Sequence, residues 1–450
     1  MTDADLAIIG GGITGLTAAY LAARAGHRVL VLEGAAEAGG LLATFPIGGN
    51  RLEHYYHHFF SHDAELRWLC ASLELSDRLR FLPATMGIFR DGRHFPFNGP
   101  RDLLRFSPIS PVARARFAAT SLYLGKFANW KRWEDIGALA WFERYAGAAA
   151  TAAIWRPMLE IKFGSFASEV PAAWMVGRLR QRMNSRERGD ERLGYLDGSL
   201  QTLLDALLAA LGKLGVRVVT GARIERIESR EGNVTSLHTS AGSFSAHRYL
   251  ATIPTNHLAP LLAPHAPGYA AGLAGIKYFG AVCTLLEMNC PLSRTYWLNI
   301  ADPGFPFGGV IEHTNFIAPS HYQGRHLAYL SRYFEVNDPL ATLPTATIGE
   351  QMVSHLPRIF PGFGRDRLEH VHVFRTLTAA TVCDRHFSRK VPRARTPLSN
   401  FFVASMAHVY PDERSCNNSI RIAAEACRVM QLETEPVPAH ASLSGQIGMD

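Results

Sequence analysis

Residues 5–33 read DLAIIGGGITGLTAAYLAARAGHRVLVLE, and their reading decides the fold. Asp5 to Gly10 predicts a short buried strand, and Ile13 to Ala25, rich in Ala and Leu, predicts a helix that stops at Gly26, a residue type favoured just past a helix C-terminus. His27 to Glu33 returns as a second strand. Between the strands, Gly10-Gly11-Gly12-Ile13-Thr14-Gly15 satisfies G-x-G-x-x-G with Gly10, Gly12 and Gly15. The first glycine permits the tight turn, the second lets a pyrophosphate approach backbone N–H groups, and the third lets helix and sheet pack closely. Such a motif alone is weak, but here it follows a strand, opens a helix and is trailed by Glu33 at the end of the next strand. The Glu33 carboxylate can accept hydrogen bonds from ribose hydroxyls and repels a 2′-phosphate, which disfavours NADP. The expectation is a βαβ dinucleotide-binding unit.

A second glycine-bearing loop, Gly34 to Gly40, comes directly after the ribose acid. The segment VLEGAAEAGGLLATF resembles the VLE-x-x-x-x-x-GG segment of the flavoprotein superfamily that contains amine oxidases, phytoene desaturases, protoporphyrinogen oxidases and UDP-galactopyranose mutases. The resemblance implies FAD rather than NAD, with Gly39 and Gly40 running past the pyrophosphate and ribityl chain; Leu41 stands where many members have Arg. No covalent attachment motif is recognisable, so the FAD is expected to be noncovalent.

The stretch LEHYYHHFFSH, residues 52–62, lies where those families run a strand across the flavin face. His54, His57, His58 and His62 have no partner at metal-ligand spacing, and the superfamily implies no metal. A histidine and aromatic wall is the expectation, similar to the G-x-H of the oxidases and the Y-G-x-H-x-F-H-T of the mutases. In an extended segment His57 and His58 point to opposite faces, so only one faces the flavin. His57 falls at the G-x-H histidine when Glu53 is matched to the preceding acid, which makes it the catalytic candidate, positioning substrate or exchanging a proton near neutral pH. His58 is a substrate-binding candidate.

From Phe81 to Gly194 the pattern turns to broken helices with proline punctuation. A helix after Pro108 and Pro111 carries Arg114, Arg116 and Lys126 and leads into Trp130-Lys131-Arg132-Trp133, which reads as a packed helix with a basic outer face or as a surface against lipid headgroups. Ile154 to Gly164 and Trp174 resemble the middle region of bacterial superfamily members, including the K-x-W-G region of the mutases. Arg178, Arg180, Arg182, Arg186, Arg188 and Arg192, set against Glu187, Asp190 and Glu191, form either a solvated helix and loop or an anion-binding wall. Arg178 and Arg182 are the substrate-binding candidates of that stretch.

Gly194 to Leu211 resembles the superfamily's return into the FAD domain. Gly215 to Ile224 predicts the following strand, and the family's backbone contact to adenine maps onto Ile224. RYLATIP, residues 248–254, is similar to the later strand ending in A-x-P. Asn400 to Met406 resembles N-L-F-F-A-G-D, with Ser405 and Met406 in place of Gly and Asp beside the ribityl chain. Asn418 to Met430 predicts a helix whose N-terminal N–H groups could stabilise negative charge at flavin N1 and O2. In Tyr410-Pro411-Asp412-Glu413-Arg414, a turn or a substrate contact, Tyr410 and Arg414 are the candidates.

Composition sets the outer bounds. The chain has 450 residues, 47% of them apolar and 19% charged, which suits a globular protein of two domains. A net charge of +7 is spread too thinly for a nucleic-acid protein. The six cysteines form no C-x-x-C pair and read as reduced thiols. The acidic start without a secretory leader places the protein in the cytoplasm, with peripheral membrane contact left open. The implied fold class is α/β: a Rossmann-like FAD-binding domain (1–82, 194–256, 396–432) interleaved with a mixed sheet-plus-helix substrate domain (83–193, 257–395), and a flexible tail (433–450). With a single dinucleotide fingerprint, the reading is an oxidase or desaturase that takes hydride from a C–H of a small organic substrate, lipophilic or anionic. A redox-neutral sugar mutase and a non-enzymatic flavin-binding module are the alternatives. Lys277 aligns poorly with the lysine that amine oxidases often carry near flavin N5, and Cys283 lies closer to that place, which argues against simple amines.

Overall fold

Leu6 to Ile9 lacks polar alternation because both faces of that strand are covered. In the computed structural model, which describes residues 2–187, 190–438 and 448–449, Ala4–Ile9 is the middle strand of a five-stranded parallel sheet. The order is Arg217–Val219, Val29–Leu32, Ala4–Ile9, Ala246–Ala251, Phe401–Val403. Alternate residues serve opposite cores. Leu6, Ile8, Val29, Val31, Leu250 and Phe402 pack beneath the helices Ile13–Arg24, Gln201–Lys213 and Cys416–Val429. Ala7, Ile9, Leu30, Leu32, Ala251 and Val403 meet a three-stranded antiparallel sheet through Ile227, Val234, Leu237 and Phe244. Continuous apolar runs are what such doubly covered parallel strands require.

The expected single strand Gly215–Ile224 is two strands. Arg217–Val219 joins the parallel sheet, the chain turns at Gly221 with φ +67°, and Ile224–Arg230 starts the antiparallel sheet. Positive φ there is available to glycine without a Cβ penalty, so the apolar run is broken by conformation rather than by polarity.

The second large sheet has seven strands, in the order Leu368–Thr381, Tyr278–Met288, His326–Phe334, Gly309–Glu312, Trp297–Ile300, Met86–Arg90, Arg93–Pro96. It is mixed, since Trp297–Ile300 pairs in parallel with Met86–Arg90 and the other pairs are antiparallel. Tyr278–Met288 is buried at every residue. A helical layer drawn from residues 100–184 packs around Phe142, Trp155, Trp174 and Phe279. The molecule is therefore α/β, with the parallel sheet and the mixed sheet joined through residues 44–60 and 190–200.

Glu53 ties that junction. It is 1% exposed, its carboxylate accepts from Tyr195 Oη at 2.8 Å and Leu200 N at 2.6 Å, and its carbonyl accepts from Tyr329 Oη at 2.6 Å. Of the stretch expected to be loose, Glu435 pairs with Arg24 at 2.8 Å, and Met449 is buried while Ala394 N donates to Gly448 O at 2.6 Å; residues 439–447 and 450 lie outside the described residues. All six cysteines are free, and five are buried. Among the described residues no helix is long and apolar enough to cross a membrane.

Candidate active site

The fingerprint turn shows why its three glycines differ. Gly10 has φ +110°, and a Cβ there would lie 2.7 Å from Thr252 Oγ1. A Cβ on Gly15 would lie 2.0 Å from the Gly10 carbonyl oxygen. Gly12 is open: the nearest atom to its Cβ position is Gly40 Cα at 4.0 Å. The chain's own packing thus demands the first and third glycines, whereas the second leaves bare backbone towards a cavity. The second glycine loop is clasped to the first, with Gly39 N donating to Gly11 O at 2.8 Å in a parallel bridge between Gly12 and Gly39. Glu33, at the end of Val29–Leu32, accepts from Gly11 N at 2.6 Å and from Ala35 N at 2.7 Å, holding both loops.

The cavity bordered by these loops has a volume of 890 Å³, near the top of the roughly 300–1,000 Å³ range of ligand sites. Glu33, Ala222 and Ile224 wall one part of it, Gly10, Gly12, Gly39 and Gly40 another, and Ser405, Met406, His57 and Arg414 a third. Gly15 lies behind the turn and packs helix against strand. Ser405 caps the short turn Met406–Val409, its Oγ accepting from Ala407 N at 3.4 Å. The closing helix starts at Cys416, two residues before the expected Asn418, because the Ser415 side chain caps it by accepting from Asn418 N at 3.1 Å. Ser415, Cys416 and Ser419 line the cavity, so the N-termini of two helices, Ile13–Arg24 and Cys416–Val429, open on it. A long cavity with a glycine cradle and two positive helix ends fits a dinucleotide with a ring system at one end.

A smaller inner cavity of 180 Å³ adjoins it and shares Tyr55, His57, Arg414, Ser415 and Cys416. Its wall is cationic and aromatic. Lys162, Arg178, Arg182, Arg332 and Arg414 face it with one carboxylate, Glu413, among Tyr55, Tyr56, Trp297 and Tyr333. Arg178 and Arg182 lie one turn apart on the helix Ala172–Asn184, on the same face. Lys162 Nζ and Arg178 Nη1 both donate to Glu413, and Arg182 pairs with Glu191 at 2.8 Å. Burial pushes the Glu413 carboxyl up, but Arg178 and Lys162 outweigh it and hold it well below the usual carboxylate range. Arg414 donates to Tyr333 Oη at 2.7 Å and makes no ion pair among the described residues. Of the other expected arginines, Arg180 donates to Ala128 O, and Arg188 lies outside the described residues.

His57 and His58 do not sit on a strand: pairing stops at Glu53 and resumes at Phe59–Phe60. Freed from strand alternation, both rings line the inner cavity, and His57 alone also lines the larger one. His57 Nδ1–H donates to Tyr55 O at 2.6 Å, which leaves Nε2 as the acceptor. Burial, then Arg414, lowers its pKa to about 4; burial, then Arg182 and His57, lowers that of His58 to about 3. The expectation of a proton exchanged near neutral pH is thus corrected: both imidazoles are neutral at pH 7. His54 stacks on Phe374 at 4.2 Å and His62 on Phe60 at 5.5 Å, so the four histidines diverge.

Tyr410 is a second correction. It is 1% exposed, edge-on to Trp130 at 5.8 Å and against Phe387 at 5.3 Å, and lines neither cavity. Its turn delivers Glu413 and Arg414 to the site instead. Lys277 points away, its ammonium 4.8 Å from the Phe166 ring centre, whereas Cys283 lines the inner cavity. Sequence reading missed Lys162, Glu413, Arg332, Tyr333 and Trp297 as site residues. The first two lie inside stretches singled out for other reasons; the others belong to strands whose local pattern carries no chemical signal.

The family described as flavin containing amine oxidoreductase matches residues 13–412 of this chain. Among solved structures, a provisionally assigned protoporphyrinogen oxidase from Exiguobacterium sp. 255-15 is similar over 96% of this chain and 100% of its own, with a TM-score of 0.77 at 17% identity. An oxidoreductase from Methanosarcina mazei gives a TM-score of 0.73 at 17% identity, covering 94% of this chain and 99% of that one. Cyclohexylamine oxidase from Brevibacterium oxydans IH-35A gives 0.72 at 14% identity, covering 95% and 98%. At these identities the structural likeness speaks for the fold, and the sequence match over most of the chain speaks for the family. The chain belongs to the flavin-containing amine oxidoreductase family and is an FAD-dependent oxidoreductase.

Proposed function

We propose that the chain holds FAD noncovalently along the larger cavity and takes hydride from a C–H bond of a small organic anion seated in the inner one. The observation that carries this reading is the inner wall itself: five cations line it with one carboxylate, and whereas Lys162 and Arg178 share Glu413, Arg182 pairs with Glu191 and Arg332 with Asp338, Arg414 at the junction of the two cavities makes no ion pair among the described residues. A half-buried guanidinium with no ion pair is ready to take an anionic ligand. A protonated amine would meet that wall as a like charge, and neither Lys277 nor another lysine stands where Cys283 does.

In this reading Glu33 takes the ribose, Gly12, Gly39 and Gly40 leave room for the pyrophosphate, Ile224 offers backbone to the adenine, and Ser405 and Met406 border the ribityl chain. Bound flavin supplies the hydride acceptor. The N-terminus of the helix Cys416–Val429 opens on the same cavity and would stabilise negative charge gathered on the bound ring system. Arg414, Arg178 and Lys162 fix the anionic end of the substrate, Tyr55, Tyr56 and Trp297 cover its apolar part and exclude water, and His57 Nε2 accepts a hydrogen bond that orients the reacting carbon.

Two measurements test this. Denaturing the purified yellow protein releases FAD; flavin that stays on the polypeptide, or FMN in its place, defeats the cofactor assignment. Under anaerobic conditions, carboxylates or phosphates from a substrate panel bleach the flavin. Arg414→Gln weakens their binding by about one to two decades, the size of one lost charge-assisted hydrogen bond, at unchanged flavin content. Bleaching by amines and not by anions defeats the substrate class. The same cations suit the pyrophosphate of a sugar nucleotide, so isomerisation without net flavin reduction identifies the mutase alternative.

A further inference from the structure

The fold leaves one face that its own packing does not explain. Among the described residues, eleven large apolar side chains are exposed, and seven of them, Leu104, Val112, Leu122, Tyr123, Phe127, Ile136 and Tyr145, fall between residues 104 and 145. Leu104 is 71% exposed, Val112 70% and Phe127 73%. The helix Pro111–Leu122 buries Phe117, Thr120 and Ser121 and turns Val112, Ala115, Ala119 and Leu122 outward at helical spacing, so its outer side is as apolar as its inner side. The following turn, Tyr123–Phe127, buries Leu124 and raises Phe127 beside it.

Three contacts join the segments that carry all of these side chains but Ile136. Arg114 Nη1 donates to Leu104 O, which joins the helix Pro100–Arg105 to Pro111–Leu122. Arg116 donates to the carbonyls of Arg144 and Tyr145 at 3.0 Å, which brings up the end of the helix Ala138–Tyr145. Tyr123 stacks on Trp141, 6.3 Å between ring centres. Over the same stretch, residues 100–145 contain eight cations and four acids, and the acids are engaged elsewhere: Asp102 by Asn98, Glu134 by Ser388, Asp135 by His386 and Glu143 by Arg156. Arg101, Arg105, Lys126, Lys131 and Arg132 are exposed and make no ion pair among the described residues.

We infer that this face docks on an anionic lipid surface, an inference independent of the substrate reading above. Apolar tips ringed by unpaired cations match the two layers of such a surface, with acyl chains below and negative headgroups above. A second copy of the chain is disfavoured, because isologous pairing would set cations against cations. Nucleic acid would use the cations and leave Leu104, Val112, Leu122 and Phe127 in water. With no spanning helix among the described residues, the contact is peripheral.

The test uses the full FAD-loaded chain and sedimented vesicles. The protein partitions onto vesicles of equal parts phosphatidylglycerol and phosphatidylcholine and not onto phosphatidylcholine alone. Leu122→Ser with Phe127→Ser lowers the partition coefficient about tenfold or more. Lys126→Glu with Lys131→Glu lowers it by a similar factor and weakens its salt dependence. All four substitutions sit on exposed positions, so flavin content and melting temperature stay the same. Absence of binding to the mixed vesicles, equal binding to both compositions, or a solution dimer abolished by Leu122→Ser with Phe127→Ser overturns the inference.

Discussion

His57 and His58 are neighbours with different surroundings, and the difference assigns their work. His57 borders both cavities and has its Nδ1 proton committed to Tyr55 O, whereas His58 borders only the inner cavity and packs edge-on to Phe60 at 5.3 Å and Trp297 at 5.8 Å. His57→Ala therefore lowers the rate of flavin reduction by about two decades, the size of the loss when a reacting atom is misplaced, at unchanged flavin content. His58→Ala chiefly lowers stability by opening a gap between aromatic rings. Stopped-flow reduction of the two variants separates them; an undiminished rate in His57→Ala removes it from the chemistry. Because the His57 imidazole is neutral down to about pH 4, the reduction rate of the native enzyme has no inflection near pH 6.5 from this group. That neutrality was not legible in the sequence, since it arises from burial and from Arg414, more than 350 positions away in the chain.

The βαβ turn makes a sharper separation, because its glycines answer to different neighbours. Gly12→Val has open space on the protein side, so the chain folds but its side chain fills the pyrophosphate approach; the expected product is a stable, colourless apoprotein. Gly15→Val drives a side chain into the Gly10 carbonyl, 2.0 Å from the Cβ position, so it costs stability as well as flavin. Comparing melting curves and flavin content checks both, and a yellow Gly12→Val protein would falsify the cradle. This element was legible because parallel strands buried on both faces and a glycine turn leave strong local marks, and the same holds for the returning strand Ala246–Ala251. Gly215 to Ile224 was misread as one strand because apolarity continues through a turn that only φ at Gly221 reveals. The inner cavity was half legible. Arg178 and Arg182 stand out in a stretch dense in arginine and Arg414 in the turn Tyr410 to Arg414, but Arg332, Tyr333 and Trp297 reach the site through the register of the mixed sheet, which no single strand encodes.

Across the molecule the buried titratable groups fall into two opposed sets that together shape its response to acid. His57 and His408 have pKa values lowered by burial to about 4, and His58 and His313 to about 3, against the ordinary 6.5. For these the unfolded chain binds protons first, so stability falls as pH drops below 6.5 and keeps falling until the folded pKa is passed. Burial raises the carboxyls of Glu53, Asp63 and Glu312 to about 7, from 4.5 for the glutamates and 3.8 for the aspartate. For these the folded chain binds protons first, so their contribution is fully present below the unfolded pKa and is lost as pH rises towards 7. Each titrating group contributes a slope of about 1.4 kcal/mol per pH unit, and between about 4.5 and 6.5 the four histidines outnumber the three carboxyls by one, so stability declines towards acid by only about one such slope. Below about 4.5 Glu53 and Glu312 are protonated in both states and stop compensating, Asp63 following below 3.8, while the histidines continue and Glu413, held low by Arg178 and Lys162, joins the loss. Urea denaturation across pH should therefore show a gentle decline from about 6.5 to 4.5 and a steep fall from there to about 3. In His58→Asn with His313→Asn, which removes two of the four opposing titrations, the acid limb is shallower whatever the overall loss of stability. A fall between pH 6.5 and 4.5 as steep as the one below 4.5, or an acid limb of unchanged slope in the double variant, rules out this balance.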